Sequence, residues 1–316
     1  MTEPHHTKGA ILIAGPTASG KSALALAVAE RYGGEIVNAD SMQIYADMRV
    51  LTARPSAEDE ARMPHHLYGV LGAGEHCSAG KWSRLALEII RGIEARGRVP
   101  VVVGGTGLYF RTLVEGLSPI PAVPEEVRAA VRADVAAAGE GAHALLVAAD
   151  PVLAEVIRPS DKQRIARGIE VARGTAKPLS QWHLEPPRPL LTGRLGKFVL
   201  APERDWLRAR CDLRFDLMVG DGALDEARHM ALQALDPALP SMKALGLRPL
   251  IDYVAGKIEL SEASEKGKAE TRAYAKRQET WFRTQMIAWN RLSTQDSERL
   301  KALIFAFIDE WGLTTR

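Results

Sequence analysis

An octapeptide near the amino terminus has the residue types and spacing of a phosphate-binding loop. Residues 15–22 read GPTASGKS and match G-x-x-x-x-G-K-[ST] at every fixed position, a pattern typical of ATP-binding and other nucleotide-binding proteins. Glycines let backbone N–H groups converge on phosphate oxygens, and a following helix adds positive charge at its amino terminus. Lys21 would neutralise a terminal phosphate, and the Ser22 hydroxyl would bind Mg²⁺ as the cofactor. The predicted phosphate-binding residues are Gly15, Pro16, Thr17, Ala18, Ser19, Gly20, Lys21 and Ser22. The motif does not say which phosphate ester binds.

A carboxylate follows a second apolar segment. Ile36-Val37 leads into Asn38-Ala39-Asp40-Ser41. An acid at the carboxyl end of a parallel strand points into the crevice where ligands of such sheets bind. Asp40 is therefore a candidate magnesium ligand or general base, and a helix N-cap is the alternative interpretation.

The third apolar segment, 99–103, ends without a carboxylate. It runs into Gly104-Gly105-Thr106-Gly107, whereas a P-loop NTPase usually has an Asp there to hold Mg²⁺. The Thr106 hydroxyl could stabilise developing negative charge, or it could satisfy backbone groups of the glycine-rich turn. Two alternative functions stay open. The first is a small-molecule kinase that uses ATP, and the missing acid argues against it. The second is a non-catalytic RNA-binding protein, and the complete phosphate loop and Asp40 argue against it.

Strands that alternate with helices must position these residues. Apolar runs predict strands over 10–14, 35–39 and 99–103, and helical spacing predicts helices over 22–32 and 82–96. Such alternation is typical of a parallel sheet with helices on both faces.

The pattern changes after three closely spaced prolines, Pro119, Pro121 and Pro124. Residues 125–174 predict helices without a strand, and a proline-rich loop follows over 178–189. A strand is predicted again over 197–201. The later segments 205–218, 223–235, 245–254 and 261–292 predict helices. The predicted fold is α/β: a P-loop parallel-sheet core, 1–119 and 199–316, with a helical insertion domain, 120–198, and a helical C-terminal layer.

Composition limits the class of protein. The chain has 316 residues, 46% hydrophobic and 25% charged, which excludes a disordered or collagen-like chain. Its two cysteines, Cys77 and Cys211, exclude a disulfide framework and a four-cysteine zinc site, and they fit a reducing cytoplasm. No apolar run is long enough to span a membrane, and we expect no secretory signal in residues 1–8.

Two later segments carry more basic than acidic residues. They are 160–210 and 266–291, while the first half of the chain is nearly neutral. Clustered Lys and Arg indicate a polyanionic partner, or else solvated helix faces. Within the second segment, Trp281 and Phe282 could stack on bases or belong to the core.

Eight segments, in one order along nearly the whole chain, resemble a known family. They are GPTASGKS at 15–22, NADSMQIY at 38–45, TARP at 52–55, PHHLYG at 64–69, GGTGLYFRTL at 104–113, DKQRIARGIEV at 161–171, ALGLRPLIDYVAGKI at 244–258 and AKRQETWFR at 275–283. The family is the bacterial tRNA dimethylallyltransferases, or isopentenyl-tRNA transferases. One departure is Arg54, where the family often has Lys, and the charge is kept.

The resemblance implies a reaction and its substrates. A dimethylallyl group would move from dimethylallyl diphosphate to the exocyclic amine of the adenosine 3′-adjacent to a tRNA anticodon, with release of pyrophosphate. The phosphate loop would then hold the pyrophosphate leaving group, not a nucleotide, which accounts for the missing acid after 99–103. The partner is the anticodon stem-loop, a base of which must leave its stack to react. We expect a cytoplasmic, monomeric enzyme without membrane contact.

The resemblance also implies roles for individual residues. Asp40 would be the general base, and Thr106 with the phosphate loop would stabilise the leaving pyrophosphate. Arg164 and Arg167 share a helix face, which could clamp phosphates or form ion pairs with Asp161 and Glu170. The basic insertion would clamp the RNA. The predicted tRNA-contacting residues are Asp40, Ser41, Met42, Gln43, Thr106, Arg128, Gln163, Arg164 and Arg167.

Overall fold

The computed structural model describes residues 4–312, and in them a parallel sheet of six strands carries the site. The strands are β1 His5–Ala14, β2 Gly34–Asn38, β3 His65–His66, β4 Val99–Gly104, β5 Leu191–Leu200 and β6 Asn290–Leu292. Their order across the sheet is β3-β2-β4-β1-β5-β6, and all neighbours run parallel. The predicted α/β class with a parallel sheet is confirmed. The predicted core also includes residues 1–3 and 313–316, which lie outside the described residues. Residues 1–3 also belong to the segment 1–8, in which we expect no secretory signal.

The described part of the chain also contains fourteen α-helices. They are α1 Lys21–Tyr32, α2 Ala57–Arg62, α3 Ala79–Ala95, α4 Gly107–Val114, α5 Glu125–Ala138, α6 Ala142–Ala149, α7 Pro151–Val156, α8 Lys162–Gly174, α9 Leu179–Trp182, α10 Arg204–Gly220, α11 Ala223–Leu232, α12 Leu247–Val254, α13 Leu260–Gln285 and α14 Ser297–Trp311. Over 4–312, no helix is both long and apolar enough to cross a membrane.

Strand β1 lies near the middle of the sheet and is buried on both faces. Successive side chains of a strand point to opposite faces. Accordingly, Leu12 joins one apolar cluster with Leu87 of α3, while Ile11 joins another with Leu24 of α1. Burial on both faces explains why β1 reads as a continuous apolar run in the sequence.

The described chain forms two compact units. A helical unit, Glu115–Pro189, contains α5 to α9 around its own core, which includes Val131, Leu146 and Ile165. The remaining described residues form the core unit with the sheet. The predicted insertion, 120–198, therefore differs at its end, because residues 190–198 belong to the core unit.

Strand β5 explains that difference. It pairs with β1 from Leu191 onward, whereas the sequence predicted a strand only over 197–201. Its first six residues include Gly193, Arg194 and Gly196, so no apolar run marks it as a strand. Backbone pairing with β1 together with burial of Leu191 holds this part of the strand.

Two further elements correct the prediction near the carboxyl terminus. The helix predicted over 261–292 ends at Gln285, and β6 then pairs with β5 through Phe198↔Asn290 and Leu200↔Leu292. A strand of three residues has too little periodicity to be recognised in a sequence. Helix α14, for which no element was predicted, packs Ile304 onto the α1 face of the sheet. The proline-rich loop predicted over 178–189 contains the short helix α9.

Candidate active site

The phosphate-binding motif forms the turn between β1 and α1, the context that the motif requires. Gly20 has φ 89°, a left-handed conformation that glycine adopts without strain. A Cβ on Gly15 would lie 2.9 Å from Ser19 Oγ and 3.0 Å from Leu200 Cβ. Gly20 therefore allows a backbone conformation that a side chain would strain, and Gly15 allows a close approach that a Cβ would obstruct.

Two polar side chains are buried inside this loop. Lys21 is only 9% exposed, and its Nζ donates a hydrogen bond to the Pro16 carbonyl at 3.2 Å. Burial lowers the pKa of Lys21 to about 8, and the Asp40 carboxylate acts in the opposite direction. The Ser19 hydroxyl is buried without a hydrogen-bond partner among the described residues. A bound anion would accept a hydrogen bond from the Ser19 hydroxyl and pair with the buried charge of Lys21.

Helix α10 adds two arginines that sequence reasoning missed. Arg214 donates to the Thr17 hydroxyl, and Arg210 Nε donates to the Ala18 carbonyl at 3.1 Å. Burial lowers the pKa of the Arg214 guanidinium. Their spacing of four residues within a predicted helix signalled a shared face, but nothing in the sequence placed that face on the loop.

A cavity of about 600 Å³ opens beside the phosphate loop. Its basic lining side chains are Lys21, Arg54, Arg62, Arg210, Arg214 and Lys301, against the acidic Glu30 and Asp59. Arg54 is poorly satisfied there, since its Nε is buried without a hydrogen-bond partner in the described part of the chain. This excess of cations suits a diphosphate.

The ends of β2 and β4 bring Asp40 and Thr106 together. A Cβ on Gly104 would lie 2.1 Å from backbone atoms of Ala39, so only glycine permits this approach. Beyond it, Thr106 N donates to the Ala39 carbonyl at 3.1 Å, and Ser41 N donates to Thr106 Oγ1 at 2.9 Å. The structure thus unites three of the predicted site residues, Asp40, Ser41 and Thr106.

Asp40 is not a helix N-cap. Its Oδ1 accepts a hydrogen bond from Met42 N at 2.9 Å within a turn, and no helix follows. The Asn38 side chain fixes the residue further, because its Oδ1 accepts from Asp40 N at 2.7 Å and its Nδ2 donates to Asp40 O at 3.0 Å. The backbone of Asp40 is thus held on both sides and Oδ1 is occupied by Met42 N, so Oδ2 is the carboxylate oxygen available to a ligand.

Tyrosines surround this carboxylate. Burial, and then the negative charge of Asp40, raise the pKa of Tyr68 and of Tyr274 above the usual range. Trp82 and Tyr109 stack with their ring centroids 4.2 Å apart, and Trp82 Nε1 donates to the Asn38 carbonyl at 2.8 Å. Asp40 itself is half-buried.

Gln43 holds the segment that carries Arg54. Its Nε2 donates to the carbonyls of Thr52 and Ala53 at 2.9 and 2.7 Å, so both amide protons are used within the protein. Met42 packs against the apolar core. Contact of either residue with tRNA stays a prediction.

The remaining predicted tRNA residues belong to the helical unit. Arg164 and Arg167 on α8 form ion pairs with Asp161 and Glu170 at 3.3 and 3.6 Å. Ion pairing was the alternative to phosphate binding in the sequence analysis. The Arg164 pair is exposed and contributes little stability, so an RNA phosphate can replace its acid, whereas Glu170 of the other pair is mostly buried. Gln163 is exposed on the same helix, and Arg128 lies on α5. Their contact with RNA also stays a prediction.

The two aromatic residues of α13 have different environments. Phe282 is buried in the core. Trp281 is half-buried and covers Gly107, where a Cβ would lie 2.1 Å from its ring. Phe282 therefore belongs to the core, which is one of the two interpretations that the sequence allowed for these residues.

Two family models match the chain. The model described as IPP transferase matches residues 43–285. The model described as isopentenyl transferase matches residues 8–68. Together these matches include the phosphate loop, both strand-end loops and α8.

Similar proteins match over almost the whole length. The tRNA dimethylallyltransferase of Parvibaculum lavamentivorans is 67% identical over 314 residues, which cover 99% of each chain. The full-length tRNA isopentenylpyrophosphate transferase from Bacillus halodurans has a TM-score of 0.70 and 32% identity, covering 96% of this chain and 97% of that one. A eukaryotic dimethylallyltransferase acting on tRNA has a TM-score of 0.81 and 26% identity, covering 96% of this chain and 80% of that one. The similarity thus extends far beyond the phosphate loop.

Proposed function

This chain belongs to the IPP transferase family and acts as a tRNA dimethylallyltransferase, and we propose that its donor is dimethylallyl diphosphate. The acceptor is the exocyclic amine of the adenosine 3′-adjacent to the anticodon, and pyrophosphate is released. The observation that carries this proposal is the placement of a cationic phosphate loop beside paired Asp40 and Thr106.

The phosphate loop holds the diphosphate of the donor. Backbone N–H groups at the start of α1 face its oxygens, and Lys21 and Arg214 neutralise its charge. The charge on the leaving group grows as the bond between carbon and oxygen breaks. Cations fixed in a buried loop stabilise that charge more than water does.

Asp40 and Thr106 act at the reacting atoms. The amine nitrogen forms a bond to the allylic carbon while the bridging oxygen departs with pyrophosphate, and the amine proton passes to Asp40 Oδ2. Thr106 Oγ1 accepts from Ser41 N and donates to Ser41 Oγ at 3.2 Å, and rotation of the hydroxyl would turn its proton to the bridging oxygen. The alternative role of Thr106, satisfying a backbone group of the turn, is thus compatible with the proposed one.

The donor set of the loop fits Mg²⁺. The Ser22 hydroxyl lines the cavity and is exposed. Mg²⁺ commonly takes one or two protein ligands and completes its shell with waters and substrate phosphates. In the part of the chain that the structure describes, no cluster of three His, Cys, Asp or Glu offers another site. Ser22 would hold the ion, which would supply further neutralisation of the diphosphate.

Basic side chains of the helical unit and of α13 bind the anticodon stem-loop. Arg128, Gln163, Arg164 and Arg167 supply phosphate contacts on the helical unit. These contacts carry no base specificity, so they position the loop while a base reaches Asp40.

The experiment is nucleoside mass spectrometry of tRNA after incubation with the purified protein and dimethylallyl diphosphate. We expect one adenosine per substrate tRNA to gain a dimethylallyl group. A small-molecule kinase would leave the RNA unchanged and be stabilised strongly by ATP, whereas the transferase is stabilised by dimethylallyl diphosphate or pyrophosphate.

A further inference from the structure

A buried glutamine of α13 joins the phosphate loop to the loop that carries Thr106. Gln278 is 5% exposed. Its Oε1 accepts a hydrogen bond from Thr17 N at 2.8 Å, and its Nε2 donates to the Gly105 carbonyl at 2.8 Å. The amide orientation is unambiguous, since Thr17 offers only a donor and Gly105 only an acceptor.

Both ends of this bridge are fitted to it. A Cβ on Gly105 would lie 2.3 Å from Gln278 Nε2, so glycine is required for the amide to reach the carbonyl. At the other end, Thr17 is held twice, by Gln278 at its amide and by Arg214 at its hydroxyl. The contact therefore defines one separation between the two loops.

The bridge continues toward the general base through main-chain bonds. The residue after Gly105 is Thr106, whose backbone N donates a hydrogen bond to the Ala39 carbonyl. Thr106 Oγ1 accepts a hydrogen bond from Ser41 N. Asp40 lies between those two partners. A shift of Gly105 relative to Thr17 would therefore move Asp40 and Thr106 relative to the phosphate loop.

We propose that Gln278 is a positioning residue that sets the distance between the leaving pyrophosphate and the Asp40–Thr106 pair. This inference rests on the proposed function, because it needs a donor diphosphate in the loop and an amine beside Asp40. Gln278 touches neither reacting atom. It acts by holding two binding loops at the spacing needed for attack on the allylic carbon opposite the departing oxygen.

The spacing role predicts a specific kinetic effect. Each substrate binds mainly to one loop, so its affinity depends little on the other. The transfer step depends on both loops at once, and a misplacement of about 1 Å can slow it roughly 100-fold. Loss of the bridge should therefore lower the rate at saturation far more than it weakens either binding equilibrium.

Two variants and a matched control test this. Gln278→Met keeps the length of the side chain and removes both hydrogen bonds, while Gln278→Glu keeps the acceptor for Thr17 and loses the donor to Gly105. The control is Thr271→Val on the same helix, because Thr271 is 4% exposed and its hydroxyl bonds only to its own helix, at Gly267. Thermal unfolding reports any loss of stability in each protein.

The measurement is single-turnover transfer at saturating RNA and dimethylallyl diphosphate, with affinities for pyrophosphate and RNA measured separately. We expect both Gln278 variants to slow transfer, by roughly 100-fold for Gln278→Met, with affinities changed less than about threefold. Thr271→Val should keep the wild-type rate. A folded Gln278 variant at the wild-type rate, or one rescued by more donor, overturns the inference. Absence of transfer by the wild type refutes instead the proposed function.

Discussion

Charged side chains of the core unit and of the helical unit are held in opposite ways. In the core, Lys21 is buried and Arg214 is half-buried, and each donates to atoms of the phosphate loop. In the helical unit, Arg164 has 73% of its side chain exposed and pairs with an acid on its own helix. Buried cations have fixed geometry and suit catalysis, whereas exposed ones act through charge and suit an RNA backbone.

The largest expected effect tests the chemical half of this comparison. Asp40→Asn keeps the shape of the side chain and removes the proton acceptor, so turnover should fall at least about 100-fold. Affinity for RNA should stay nearly unchanged, because the contacts that bind phosphates remain. Steady-state kinetics and RNA titrations check both. Near-normal turnover would remove Asp40 from the role of general base.

Thr106→Ala should slow the chemical step by about 10- to 100-fold, less than the loss of a complete oxyanion-hole donor. The Ser41 hydroxyl lies 3.2 Å from Thr106 Oγ1 and can replace part of the donation. Single-turnover assays measure this step, and Thr106→Ser is the control that keeps the hydroxyl. An unchanged rate in Thr106→Ala would leave the residue only its bond to Ser41 N.

The buried state of Lys21 predicts a pH dependence. Burial lowers its pKa to about 8, so it loses its proton as the pH rises through that value, and its attraction for phosphate is lost. Above about pH 8, pyrophosphate affinity should fall by up to about tenfold per pH unit relative to Lys21→Met. Comparison at each pH cancels the ionisation of pyrophosphate itself. An affinity ratio that stays constant from neutral to alkaline pH would contradict the buried charge.

The smallest expected effect lies in the helical unit. Arg164→Ala or Arg167→Ala should weaken RNA binding roughly 3- to 10-fold and reduce the slope of log affinity against log salt by about one. The control is Arg173→Ala on the same helix, because Arg173 pairs with Asp134 of α5 and tests the loss of stability alone. RNA titrations at several salt concentrations distinguish the two. Equal losses in all three variants would count against direct phosphate contact.

The sequence predicted the parts of the site that local patterns specify. The phosphate loop was readable because an apolar strand and a helix flank its glycines, and Asp40 and Thr106 were readable as strand ends. That the two segments lie side by side follows from the adjacency of β2 and β4, a crossover in strand order that no local pattern encodes.

The remainder depends on long-range contacts. Gln278 and Arg214 reach the phosphate loop from helices far along the chain, and their own helices look like ordinary amphipathic segments. Strand β6 and the first part of β5 have no apolar periodicity, and backbone pairing with neighbouring strands helps to hold them. Such features follow from tertiary packing and are invisible to residue spacing.

The division of labour between the two units has one direct test. The test compares two variants, Lys21→Ala and the Arg164→Ala, Arg167→Ala double variant. For each, the affinities for pyrophosphate and for the anticodon stem-loop are measured at two salt concentrations. Lys21→Ala should lose pyrophosphate binding and keep RNA affinity, whereas the arginine variant should keep pyrophosphate binding and lose RNA affinity, with a smaller salt dependence than the wild type. Loss of RNA binding in Lys21→Ala together with full RNA binding in the arginine variant would contradict the account.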